Sequence, residues 1–86
     1  MTYSLRIKAS AAKQIARLDV EARRLVVEQI DRLASDPHVG TVLKGEFQGL
    51  RRVRVGVYRI VFEVQDRELV VLVVRVGHRS SVYRRR

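Results

Sequence analysis

The chain has no cysteine and no tryptophan among its 86 residues, one proline, and only five aromatic side chains. Without cysteine there is neither a disulfide scaffold nor a thiolate-ligated zinc site. The two histidines, His38 and His78, lie far apart in the chain and supply no ligand set, so no metal centre is expected. With so few aromatics, any core must be built mainly from Val, Leu, Ile and Ala. Long apolar runs are also missing. The longest, Leu69 to Val74, suits a buried strand and is far too short to cross a bilayer. Met1 to Lys8 alternates polar and apolar residues and lacks the apolar stretch of a signal peptide. A cytoplasmic protein with no membrane partner is therefore expected. No Gly-rich phosphate loop and no Ser/His/Asp arrangement is visible.

What the chain does have is positive charge and enough apolar residues for one modest core. Apolar residues make up 47% of a length that fits one domain, residues 1–86. The net charge is +9, and it is uneven. Residues 1–43 carry seven basic and five acidic side chains, and residues 44–86 carry eleven and four. A basic half of this kind favours a polyanion, above all nucleic acid. No repeat, linker or low-complexity segment interrupts the chain.

Tyr3 to Lys8 alternates with Tyr3, Leu5 and Ile7 on one face, the pattern of a half-buried strand. Ser10 offers a cap for a short helix from Ala11 to about Leu18. Asp19 offers the next cap, and Ala22, Leu25, Val26, Ile30 and Leu33 form an apolar stripe on a second helix. Pro37 ends that helix near Ser35. Residues 38–49 read as a loop containing three glycines. Three strands follow: Leu50 to Val55, Tyr58 to Gln65, and Leu69 to Val76. Gly56 stands at the first turn, Asp66 and Arg67 at the second, and Gly77 ends the last strand. Because it is nearly all apolar, that last strand reads as central and covered on both faces. The order β-α-α-β-β-β predicts an α+β fold. A helical hairpin packs on one face of a mainly antiparallel sheet, and the other face is free to bind.

Strand alternation then places the arginines. Arg52 and Arg54 share a face, and Arg51 shares the opposite one with Val53 and Val55. Arg59 lies opposite the apolar side of Tyr58, Ile60 and Phe62. With Arg79 and Tyr83 folding over from beyond the last strand, a basic surface of Arg52, Arg54, Arg59 and Arg79 is expected, with Tyr83 beside it. Arginine suits phosphate because its planar fork donates two parallel hydrogen bonds and never loses its charge. A neighbouring tyrosine can stack on an unpaired base. His78 is the histidine nearest this cluster, as an acid or base or as a surface residue. Tyr58 reads as core, and His38 as structural or inert.

Three pieces of sequence together resemble a known family. They are Leu43-Lys44-Gly45, then Gly49-Leu50-Arg51-Arg52-Val53-Arg54-Val55-Gly56-Val57-Tyr58-Arg59-Ile60, then Val76-Gly77-His78-Arg79 with Tyr83 further on. In this order they look like the signature of the RelE/ParE toxin superfamily, and the likeness extends over the whole chain. The resemblance to the RelE branch implies a toxin–antitoxin system. The toxin is an endoribonuclease that cleaves messenger RNA in the ribosomal A site, by attack of the RNA 2′-hydroxyl on the adjacent phosphate. It implies no cofactor and no metal, with the ribosome, messenger RNA and a RelB-like antitoxin as partners, in a toxin–antitoxin heterotetramer. By motif position it implies catalytic roles for Arg54, Arg59, Arg79 and Tyr83. Lys44, Arg51, Arg52 and His78 are then RNA or phosphate contacts. One departure bears on mechanism: the family's best-studied members carry lysines where this chain has Arg52 and Arg54. Arginine is a poor base. Either His78 serves as base, or the reaction relies on electrostatic stabilisation and alignment. Two rivals remain at this point, a ParE-type DNA gyrase poison and a basic RNA-binding domain without catalysis.

Overall fold

A computed structural model describes residues 2–78. The order is β1 (Ser4–Ile7), α1 (Ala9–Ala16), α2 (Val20–Leu33), β2 (Thr41–Val42), β3 (Arg51–Val55), β4 (Tyr58–Gln65) and β5 (Val70–His78). One 3-10 turn, Gly45–Phe47, lies between β2 and β3. The strands form one sheet in the order β1-β5-β4-β3-β2. β1 runs parallel to β5, and the other neighbours are antiparallel. The expected α+β architecture is thus the one observed, with one added short strand, β2, inside the segment read as loop.

Local chemistry explains most boundaries. The Asp19 carboxylate accepts a 2.8 Å hydrogen bond from the Ala22 N–H, capping α2 as expected. α1 starts two residues earlier than expected. Its cap is Lys8 rather than Ser10, and no side chain caps it. The cause is the short path from β1. The Lys8 N–H still bonds to the Val73 carbonyl in the sheet while its own carbonyl already accepts from Ala12, so strand passes into helix with no free residue between. α2 stops at Leu33, just before the expected Ser35. β3 and β4 are joined by the two residues Gly56 and Val57, and Gly56 has a φ of +59°. A positive φ at the first position alone is the mark of a type II′ hairpin turn, which matches the twist of the flanking strands. The turn after β4 spans Asp66 to Leu69, longer than the two residues expected. The Leu69 N–H donates to the Asp66 carbonyl at 3.3 Å.

The core lies between the helical pair and one face of the sheet. Ala11 and Ile15 of α1 and Val26, Ile30 and Leu33 of α2 meet Ile60 and Phe62 of β4 and Val71, Val73 and Val76 of β5. Tyr58 packs against this cluster. Leu25, expected in the buried stripe of α2, is 40% exposed. In a two-layer fold only a narrow stripe of a helix meets the sheet, and Leu25 stands at its margin.

β5 departs from its sequence reading in two ways. It runs through Gly77 to His78. It is also covered by helices on one face only, so Leu72, Val74 and Arg75 on or beside the other face stay half-buried. The strand is irregular in the middle. Val61 pairs with Arg75 while the next residue, Phe62, pairs with Val73, which leaves Val74 unmatched. This is a β-bulge.

Three distant segments meet at one corner. The Tyr3 hydroxyl donates to Asp66 Oδ1 at 2.6 Å, and His38 Nε2 lies 2.9 Å from the same oxygen. The Tyr3 and His38 rings meet edge to face with centroids 6.1 Å apart. Chiefly through the Tyr3 hydrogen bond, the Asp66 carboxyl is held below its ordinary value, and the Tyr3 hydroxyl is raised above its own. His38 is therefore a tie between loop and turn, in keeping with its structural reading.

Candidate nucleic-acid interface

The sheet register decides which arginines meet. Val53 pairs with Ile60, and Val55 with Tyr58, on the helix side. The alternating residues therefore turn to the uncovered face. There Arg54 lies directly opposite Arg59, and Arg52 lies opposite Val61. The next neighbour of Val61, on β5, is Arg75. On β1, Arg6 pairs with Leu72 and shares this face. Glu63, held by a 2.8 Å hydrogen bond from Gln65 Nε2, is the acidic residue that the strands place here among the described residues.

The uncovered face is therefore a basic sheet surface. Arg6 and Arg54 are exposed, while Arg52, Arg59 and Arg75 are half-buried. Val61, in the middle, is only 2% exposed yet lies outside the main core cluster. Its cross-strand neighbours are Arg52 and Arg75, both half-buried, whose long aliphatic stems are of the kind that cover apolar surface. Chemically such a face donates many hydrogen bonds and accepts few, and it suits a row of phosphates.

β3 is also held from the side. Gly40, with a φ of +78°, sits so close to it that an added Cβ would lie 2.1 Å from the Arg52 carbonyl oxygen. The loop before β2 can lie this close to the arginine strand only because residue 40 has no side chain.

Arg52, Arg54 and Arg59 are thus brought together as the sequence predicts. Arg51 is not among them. It pairs with Phe62 on the helix side, and its charge acts on Asp66. His78 also falls outside the cluster. It pairs with Tyr58, and the two rings meet edge to face at 6.1 Å, on the side opposite Arg59. Lys44 is exposed in the loop between β2 and β3, at the sheet edge. Arg79 and Tyr83 lie outside the described residues. Sequence reading missed Arg75 and Arg6. For Arg75 the available signal was a single charge interrupting an otherwise apolar strand.

Comparison with known proteins agrees with this fold. Residues 5–83 match the family described as ParE toxin of type II toxin-antitoxin system. The toxin RelG of Mycobacterium tuberculosis is 32% identical over 87 residues, spanning 99% of this chain and all of the relative. The toxin–antitoxin complex RelBE2 of the same organism superposes with a TM-score of 0.85 at 29% identity, over 94% of this chain and 95% of the other. The archaeal RelE–RelB complex from Pyrococcus horikoshii gives 0.76 at 27% identity, over 95% and 100%. Fold and family match together define a toxin of a type II toxin–antitoxin system. Within that class the chain belongs to the RelE/ParE superfamily, and it is a member of the RelE family.

Proposed function

We propose that the chain is a ribosome-dependent endoribonuclease that cleaves messenger RNA in the A site. The observation that carries this reading is the opposed pair Arg54 and Arg59 on the helix-free face, with Arg52 one rung away. In the reaction the RNA 2′-oxygen bonds to the adjacent phosphorus and the bond to the 5′-oxygen breaks. A 2′,3′-cyclic phosphate and a 5′-hydroxyl result. Negative charge builds on the pentavalent phosphorus, where arginine forks stabilise it. Arg54 and Arg59 hold the non-bridging oxygens, and Arg52 and Lys44 hold flanking phosphates. Arg79 donates to the departing 5′-oxygen, and Tyr83 stacks on a base. No guanidinium takes the 2′-proton, and His78 faces the other side of the sheet beside Tyr58. The 2′-proton passes to solvent, and the rate comes from charge stabilisation and alignment.

The partner of this face is an acidic, RelB-like antitoxin segment that orders on binding, in a toxin–antitoxin heterotetramer. A net charge of +9 supports it, as do the toxin–antitoxin complexes among the structural relatives.

The test is to express the chain under tight control and map messenger RNA 5′ ends during translation. In-frame cuts are expected, reduced about 10²- to 10³-fold by Arg59→Ala, the cost of losing one oxyanion donor. The family description itself, ParE toxin, favours a second reading as a gyrase poison. Intact messages together with DNA double-strand breaks would establish that reading and defeat the first.

A further inference from the structure

The bulge in β5 changes which residue faces the helix-free side of the sheet. In a regular strand Val71, Val73 and residue 75 would share one face. Val71 and Val73 are both fully buried under the helices. Without the bulge, the Arg75 charge would enter the core and Val76 would face solvent. The unmatched Val74 reverses the alternation: Val76 enters the core at 2% exposure, and Arg75 turns to the open face. The surroundings fit this local geometry. Just after the bulge, where β1 has ended, the Val76 N–H donates to Gln14 Oε1 of α1 at 2.7 Å. The helix thus satisfies a backbone donor that has no strand beside it. Bulges recur where a strand must re-aim a side chain beside a functional site.

We propose that Arg75 is a phosphate-binding residue of this face. It acts with Arg52, on the other side of Val61, to hold the phosphate next to the one between Arg54 and Arg59. This rests on the reading of the face as the RNA surface. Arg52 and Arg75 stand two strand spacings apart, about 9.6 Å. That gap admits one phosphate between two guanidinium groups. Along β3, Arg52 and Arg54 are about 6.8 Å apart, a distance on the scale of successive phosphates in an extended strand. The four arginines therefore form two rungs matched to two neighbouring phosphates. Val61 supplies an apolar floor between the members of one rung.

The experiment measures binding of a ten-nucleotide 2′-O-methyl RNA, which cannot be cleaved, to the whole chain across a range of NaCl concentrations. For single strands, each phosphate contact contributes about 0.7 to the slope of log K against log salt. Arg75→Gln is expected to lower the slope by about that amount and affinity by roughly tenfold. Arg75→Lys should keep the slope and still lose affinity, because the charge remains while the fork is lost. If Arg75→Gln binds as wild type while Arg54→Gln and Arg59→Gln bind more weakly, the Arg75 assignment is wrong and the face stands. If none of the three changes binding, the reading of the whole face is wrong. Should Arg75→Gln fail to fold, Arg75→Lys decides, and wild-type affinity in it overturns the proposal.

Discussion

Arg54 and Arg59 are directly opposed on neighbouring strands, and like charges in that position destabilise a sheet. The Arg54→Gln variant removes one charge and keeps a shorter polar side chain. At about 7 Å the repulsion between two unit charges is about 0.6 kcal/mol in water, and a few times larger at the effective dielectric of a protein surface. Arg54 is exposed, so the lower end applies, and Arg54→Gln should stabilise the isolated chain by about 0.5–1 kcal/mol. That corresponds to a rise in Tm of roughly 2–8 °C for a domain of this size. The assay is urea unfolding of both proteins at about 10 mM and at 1 M NaCl. At 1 M the Debye length is about 3 Å, so the two proteins should become equally stable. A variant less stable than the parent at low salt, or a gain that persists at high salt, would refute the argument. In either case its charge would not be the cause.

Other outcomes follow from other parts of the molecule. Gly40→Ala forces a Cβ against the Arg52 carbonyl at a positive φ. It should cost roughly 2–5 kcal/mol in denaturant unfolding, and it should weaken RNA binding even in the folded fraction, because it displaces β3. Asp66 has a lowered pKa, so its stabilising effect is present above its ordinary value of 3.8 and is lost as pH falls through the lower folded value. Asp66→Asn should therefore flatten the acid limb of a stability–pH curve below about pH 4. Phe62, fully buried at the centre of β4, should lose about 3–5 kcal/mol on replacement by alanine, read from the urea midpoint.

Features that depend on a few neighbouring residues were legible in the sequence. Asp19 capped α2 because a carboxylate three residues from an amide needs only local geometry. The Gly56 turn and the shared face of Arg52 and Arg54 follow from the same short range. Features set by contacts across the chain were not legible. The Ser10 cap was superseded because Lys8 is bonded to β5, 65 residues away. The tie between Tyr3, His38 and Asp66 joins side chains from three segments, and no spacing announces it. Arg75 was hidden by one unmatched residue, which inverts the inside and outside of every position after it. Arg51 and His78 carry the family's motif positions, but strand parity sends them to the helix side.

The parallel pairing of β1 with β5 ties nearly the first residues described to nearly the last, Ser4 to Val70 and Ile7 to Val73. As the chain emerges from a ribosome, β1 has no strand to lie against until residues beyond 73 are out. Until then β4 also lacks its neighbour on that side. Local hairpins form early, whereas a contact of this sequence separation must wait for the loop to close. The full arginine face, with Arg6 and Arg75 on it, therefore comes into being only once β5 is in place, as a property of the completed sheet. The Arg54–Arg59 rung needs only its own hairpin, whereas Arg6 and Arg75 join it when the long loop between β1 and β5 has closed.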